Sequence, residues 1–236
     1  MTVRPKEPAQ PAERNQRNDD RREDDERGGL IAGSRKQIHR HILLRALGSR
    51  HACGVSDVEW ILEQLWAPVV AITAGHEGRA NGLISSTAET ASLLPEAPRV
   101  SVQLARASLT RELVLASGAL AVHFLPADDC GLELFRALGF RSGRDASKLD
   151  GIATKGGALG PPILSEAVAY LEARVASTLD EGDVTVVLAD VVGGARLRDE
   201  PVLTIEYARG RLPSEWLDEW ELRRERELED ARRFRR

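Results

Sequence analysis

Five hydroxyls crowd one short stretch, Asn81–Pro95 (NGLISSTAETASLLP): Ser85, Ser86, Thr87, Thr90 and Ser92. Thr73 lies just upstream, and Ser108 and Thr110 follow. Small hydroxyl-bearing residues in a turn let side-chain O–H and backbone N–H groups converge on a phosphate or another oxyanion. The same side chains also bond their own backbone readily, so the stretch equally describes an ordinary capped turn. Composition alone leaves both readings standing.

The flanking elements place the stretch in a β framework. Ala67–Thr73 (APVVAIT) is a near-continuous apolar run, as expected of a strand buried on both faces. Gly75–Arg79 supplies a turn after it. Arg99–Leu104 and Leu120–Leu125 read as further strands. Between them Thr110 is expected to cap a short helix that Gly118 ends. The free N–H groups of that helix's N-terminus are a natural phosphate seat. Asp128–Phe140 reads as a second helix with Leu132, Leu134, Phe135 and Leu138 inward, and Arg141–Leu149 as a basic loop. The 156–162 turn cluster, rich in glycine and proline, has the wrong spacing for a dinucleotide fingerprint. Ala167–Thr178 has helical propensity but alternates at Leu171, Ala173 and Val175, and is assigned as a strand. Val184–Val192 and Val202–Tyr207 are strands by their β-branched content. A helix follows Pro213 with Ser214 as its expected N-cap, acids early and arginines late. Trp216, Leu217 and Trp220 are its apolar contacts, and past Leu222 it is polar nearly all round.

In this order the elements resemble the flavin reductase-like family, an FMN-binding split β-barrel. The resemblance rests on Ser86-Thr87-Ala88-Glu89-Thr90 through Pro95, then Ser108-Leu109-Thr110, Leu120-Ala121-Val122-His123-Phe124-Leu125, Gly182-Asp183-Val184 and Pro201-Val202-Leu203. It implies a mainly β fold with flanking helices (α+β), Greek-key-like, with additional N- and C-terminal helices. It also implies an NAD(P)H-dependent flavin reductase with FMN, or alternatively FAD, as the flavin. Asn81, Ser85, Ser86, Thr87, Ala88, Thr90, Ser108, Thr110 and Lys148 form the implied cofactor-binding set. Ser86, Thr87, Ala88 and Thr90 would line the phosphate and ring edge, and Lys148 would be the candidate cation. No catalytic residue and no metal are assigned. A homodimer with flavin at its interface and a partner monooxygenase are the implied partners. Three positions depart from the family pattern. Ala88 stands where the family has an aromatic, Ile84 where it has a threonine, and Val184 where it has the histidine of a G-D-H. The loss at Val184 bears on hydride transfer more than on flavin holding. It keeps a flavin-carrying module and a cofactor-free interaction scaffold as alternatives.

The expected organisation is a disordered charged tail (1–29), an N-terminal helical segment (30–66), the barrel (67–208) and a charged C-terminal helix (209–236). From Arg4 to Arg27 seven basic residues meet eight acidic ones, which makes the tail a polyampholyte and not a nucleic-acid arm. A net charge of −4 gives no reason to expect nucleic acid or an anionic membrane as partner. No stretch approaches the ~18 apolar residues of a membrane span, and the two cysteines, Cys53 and Cys130, make no disulfide framework. A cytoplasmic setting is the expectation. His39 and His41 invite a zinc reading with His51 and Cys53, but residues two apart on a helix diverge, and the spacing is not that of structural zinc.

Overall fold

The structure, a computed structural model, describes residues 68–234. These fall within one compact unit, 65–236. The N-terminal tail, the helical segment expected over 30–66, and the His39–Cys53 cluster lie outside the described residues.

The described residues form nine strands and four helices in order. They are β1 (Val70–His76), β2 (Arg79–Ser85), β3 (Glu89–Thr90), β4 (Arg99–Ala105), α1 (Leu109–Ser117), β5 (Ala119–Phe124), α2 (Asp129–Gly139), β6 (Thr154–Gly156), β7 (Pro162–Leu164), β8 (Ala169–Glu181), β9 (Val184–Arg196), α3 (Ile205–Arg211) and α4 (Ser214–Arg232). Seven strands form one sheet in the order β2-β1-β5-β8-β9-β4-β3, and β6 pairs with β7 apart from it. Every pairing is antiparallel. The fold is therefore α+β, a mainly antiparallel sheet with flanking helices.

Alternation decides which side each residue serves. Val70, Ile72 and Ala74 of β1 face one core with Val102, Leu104, Leu120, Val122 and Val187. Val69 and Ala71 face a second core with Phe135, Leu138 and Leu164. Helix α1 supplies Leu109, Leu113 and Val114 to the first core, and α2 supplies Leu132, Leu134, Phe135 and Leu138 to the second. The β1–β2 turn needs positive φ at Glu77 (47°) and Gly78 (77°), the two-residue geometry that matches strand twist. The long β8–β9 hairpin turns at Gly182, with φ 57°.

Three local expectations are corrected. Ser108, not Thr110, caps α1: its hydroxyl accepts from Arg111 N at 3.2 Å, and Thr110 lies inside the first turn, fully buried. Gly118 does end that helix, in the left-handed conformation at φ 67°. Val202–Tyr207 is not a strand. Only Val202 makes a bridge, to Pro126, before Thr204 caps α3 by accepting from Tyr207 N. With Glu206 in the first turn and Arg209 and Arg211 in the last, the helix satisfies its own dipole, and capping overrides β propensity. Finally, α4 begins on Ser214 itself, with Pro213 at the cap position and no side-chain cap bond. The boundary expected between 208 and 209 falls inside α3.

Helix α4 has no fully buried residue. It is held by its first turns. Trp220 lies edge-on to Phe135 at 5.3 Å and parallel to Phe140 at 6.2 Å, while Trp216 sits under the Arg136 guanidinium at 4.3 Å. Arg136 Nε also donates to Glu219 at 3.0 Å.

Candidate functional site

Where the two ends of the sheet approach, the hydroxyl-rich stretch acts as a seam. Ser85 ends β2, and its Oγ accepts from Thr87 N at 3.1 Å and meets Thr87 Oγ1 at 2.9 Å. Thr87 Oγ1 in turn donates to Gln103 O (3.3 Å) and accepts from Gln103 N (3.2 Å) on β4. The threonine hydroxyl thus stands in for a missing strand neighbour and joins the two ends of the sheet. Ser92 is likewise occupied locally, accepting from Leu94 N. Ala88 turns into the first core. Among the nine candidates only the Ser86 and Thr90 side chains are exposed; neither side chain makes a hydrogen bond among the described residues.

Beside the seam stands the N-terminus of α1. Asn81, 3% exposed on β2, donates from Nδ2 to Thr110 Oγ1 at 3.0 Å, and its Oδ1 is buried without a partner. Gly143 packs on the same amide so closely that a Cβ would lie 2.3 Å from Asn81 Nδ2. The structure therefore brings Asn81, Ser108 and Thr110 together with Gly143 and Arg144 of the 141–149 loop. Because Ser108 Oγ spends a lone pair on Arg111 N, its O–H remains free to donate. The first-turn N–H groups of α1 have no helical acceptor, as at any helix start.

Three arginines missed by sequence reasoning surround this end. Arg111 is pinned: its Nη2 reaches both Asp180 oxygens at 2.9 and 3.1 Å, and its Nε bonds Thr185 Oγ1. The Thr185 hydroxyl, with Arg111, holds the Asp180 carboxyl below its ordinary range. Arg144 donates to Ala107 O and pairs with Glu112. Arg106 donates to the Gly182 carbonyl at 3.2 Å and lies 4.8 Å from the Phe234 ring centroid, and its charge adds to those that lower the Asp180 carboxyl. The available signal was proximity: Arg106 stands two residues before Ser108, and Arg144 lies in the basic loop already noted.

Lys148 lies elsewhere in the bonding pattern. It is 8% exposed, and its ammonium donates to Leu138 O at 2.6 Å. That carbonyl belongs to the last turn of α2, where a cation meets the negative end of the helix. Burial first, then the Arg223 charge, pull its pKa down to about 8.

Two further buried polar groups line the outer face of β1, β5 and β8. His123 is fully buried, its Nδ1 3.2 Å from Ala71 O and its Nε2 without a partner. Desolvation lowers its pKa to about 4, against the opposing bond to Ala71. Glu172 accepts from Leu159 N at 3.0 Å and so fixes the 156–162 turn. Among the described residues no group of three His, Cys, Asp or Glu side chains could hold a metal. No helix among them is long and apolar enough to cross a membrane.

Residues 62–215 match the family described as "Flavin reductase like domain". The ferric-chelate reductase (NAD(P)H) of Archaeoglobus fulgidus is 31% identical over 56% of this chain and 78% of its own length. The high molecular weight rubredoxin of Moorella thermoacetica is 31% identical over 58% of this chain, and the match spans only 58% of that protein. Among solved structures, nitrilotriacetate monooxygenase component B of Mycobacterium thermoresistibile aligns at a TM-score of 0.54 and 25% identity, over 64% of this chain and 81% of that one.

Proposed function

The chain belongs to the flavin reductase-like domain family, and from that premise we propose that it is an NAD(P)H-dependent flavin reductase that binds FMN on a split barrel. The observation that carries the binding site is the set of unspent donors on the hydroxyl-rich stretch and at the α1 N-terminus. The exposed Ser86 hydroxyl, the unspent O–H of Ser108 and the first-turn N–H groups of α1 other than that of Arg111 are donors of the kind a phosphate dianion requires. We assign the positive charge to Arg106, whose hydrogen bond goes to a carbonyl and not to a carboxylate, since Lys148 is engaged at α2. Asn81, Ser85, Thr87 and Thr110 support this seat, Thr110 through its backbone and its bond from Asn81. Ala88, buried in the first core, and the exposed Thr90 follow Ser86 and Thr87 on the same stretch and belong to the same reading.

The flavin would supply the chemistry, accepting hydride from NAD(P)H and passing electrons onward. The chain's own part is to seat the phosphate, hold the ring's orientation and exclude water. A homodimer, a partner monooxygenase and a cytoplasmic setting belong to the same reading. The partner is suggested by the resemblance to the monooxygenase component named above. Residues 67–208 are taken as the flavin domain.

A second reading, a flavin carrier without nicotinamide chemistry, is favoured by Val184, whose side chain has no donor. One experiment separates the two. Purified protein should carry yellow absorbance whose released cofactor has the mass of FMN, and NADH or NADPH should bleach it. Colour without bleaching selects the carrier; absence of any bound or bindable flavin overturns both.

A further inference from the structure

Helix α4 lies almost entirely beyond the family's domain, which ends at residue 215. Its nineteen residues extend about 28 Å at 1.5 Å per residue. The contacts along it are uneven. The first half is seated on Phe135 and Phe140 through Trp220. The second half stands off from the 140–146 loop across a cleft of about 550 Å³, with Leu222, Arg223 and Arg226 on the helix side and Arg141, Ser142 and Asp145 on the loop side. Leu222 and Leu228 are 56% and 49% exposed, so neither leucine anchors this half, whose better-buried side chain is Arg223 at 20% exposed. Beyond the cleft the chain touches the body again at Phe234, whose ring covers the guanidinium of Arg106.

That second contact falls beside the Ser108 cap. A ring over a guanidinium occupies its face and leaves its in-plane N–H groups free, apart from the one donated to Gly182 O. Phe234 thus holds Arg106 and shields it from water without using the edge that would bind an anion. We propose that α4 is a strap on the flavin site, and that the Phe234–Arg106 contact sets how fast a phosphate-bearing flavin leaves. This inference rests on the reading of the α1 N-terminus as the flavin phosphate seat. Coupling of this kind is reciprocal: if docked Phe234 favours phosphate binding, bound phosphate favours docking of the strap. The charge on the flavin makes the effect selective, because riboflavin offers Arg106 no partner.

The test compares wild type with Phe234→Ala and Phe234→Trp. Displacement of FMN followed by stopped-flow fluorescence should be about two- to five-fold faster in Phe234→Ala, the ratio that a partly exposed cation–π contact corresponds to. Phe234→Trp should restore slow release, and riboflavin should leave all three proteins at one rate. Independently of turnover, amide hydrogen exchange over 228–234 should slow when FMN binds wild type and not when riboflavin does. Equal FMN release from wild type and Phe234→Ala, or an equal change for riboflavin, overturns the strap while leaving the flavin site intact. Wild type that binds neither FMN nor riboflavin overturns the flavin reading itself, and the strap with it.

Discussion

Asn81 and Thr110 join β2 to the first turn of α1 through a buried 3.0 Å hydrogen bond from amide to hydroxyl. Removing the hydroxyl with Thr110→Val leaves that amide without an acceptor in a site water does not reach. The expected loss is about 1–3 kcal/mol of unfolding free energy, the penalty for an unsatisfied buried donor. Gly143→Ala strikes the same amide from the other side, because its methyl would overlap Asn81. Urea denaturation should show both variants with lowered midpoints and unchanged slopes. Full stability in Thr110→Val would mean the amide finds another acceptor.

Ser86 and Thr87 are neighbours with separable roles. Ser86→Ala removes a free, exposed hydroxyl and should weaken FMN by about 1.5–3 kcal/mol, as for one hydrogen bond to a charged group. Riboflavin affinity should hardly change. Thr87→Ala instead opens the link to Gln103, so its effect belongs first in melting temperature and only second in flavin titrations. Identical losses of FMN and riboflavin in Ser86→Ala would remove that serine from the phosphate seat.

His123 makes stability depend on pH. Its folded pKa, about 4, lies below the ordinary 6.5, so the unfolded chain takes up a proton that the folded chain refuses. The neutral form's contribution is complete above about pH 6.5 and is lost as the pH falls toward 4. Full loss amounts to roughly 3 kcal/mol at 1.36 kcal/mol per pKa unit. His123→Asn has no titrating ring, so the gap between its stability–pH curve and that of wild type should change over this window. Parallel curves from pH 7 to pH 4 would contradict the burial argument.

Val184 tests the chemistry. On β9 it pairs with Ala105 of β4, beside the turn that Arg106 and Arg111 grip. Val184→His restores a donor at the place where the family pattern has one, and should raise kcat with NAD(P)H while FMN affinity stays constant. That split marks an interaction made mainly in the transition state. Rapid mixing of FMN-loaded protein with saturating NADH and NADPH reads it directly. If neither wild type nor the variant is reduced, the carrier reading replaces the reductase.

Much of the fold was legible because strand alternation and capping are local. The continuous apolar run at Val69–Ile72 announced a strand with two buried faces, and Gly118 announced the end of α1. Leu171, Ala173 and Val175 marked β8 against a helical propensity. What was not legible depended on partners distant in sequence. Thr204 gave no sign from its neighbours that it would start a helix in a β-branched run. Lys148 looked like a free cation because the carbonyl it meets, Leu138, is brought to it only when α2 and the loop fold back. The hydroxyl cluster was visible as a cluster, but only the approach of β4 shows that Thr87 closes a seam while Ser86 stays open. Arg106, Arg111 and Arg144 carry no motif of their own, and their sorting into carbonyl-bonded, pinned and paired is a property of the tertiary structure.

The two-sided burial of β1 has a consequence for how the domain comes apart. One face of the strand lines the core that α1 plugs, and the other lines the core that α2 and α4 cover. Neither layer can be stripped away while the other keeps its full wall, since exposing Val69 and Ala71 loosens the strand that carries Val70 and Ile72. The described domain should therefore melt as one cooperative unit, without a stage in which the outer helices have left and the sheet persists. Amide protons of β1 should accordingly exchange only through global unfolding, and a fragment ending before α2 should hold no stable sheet at all.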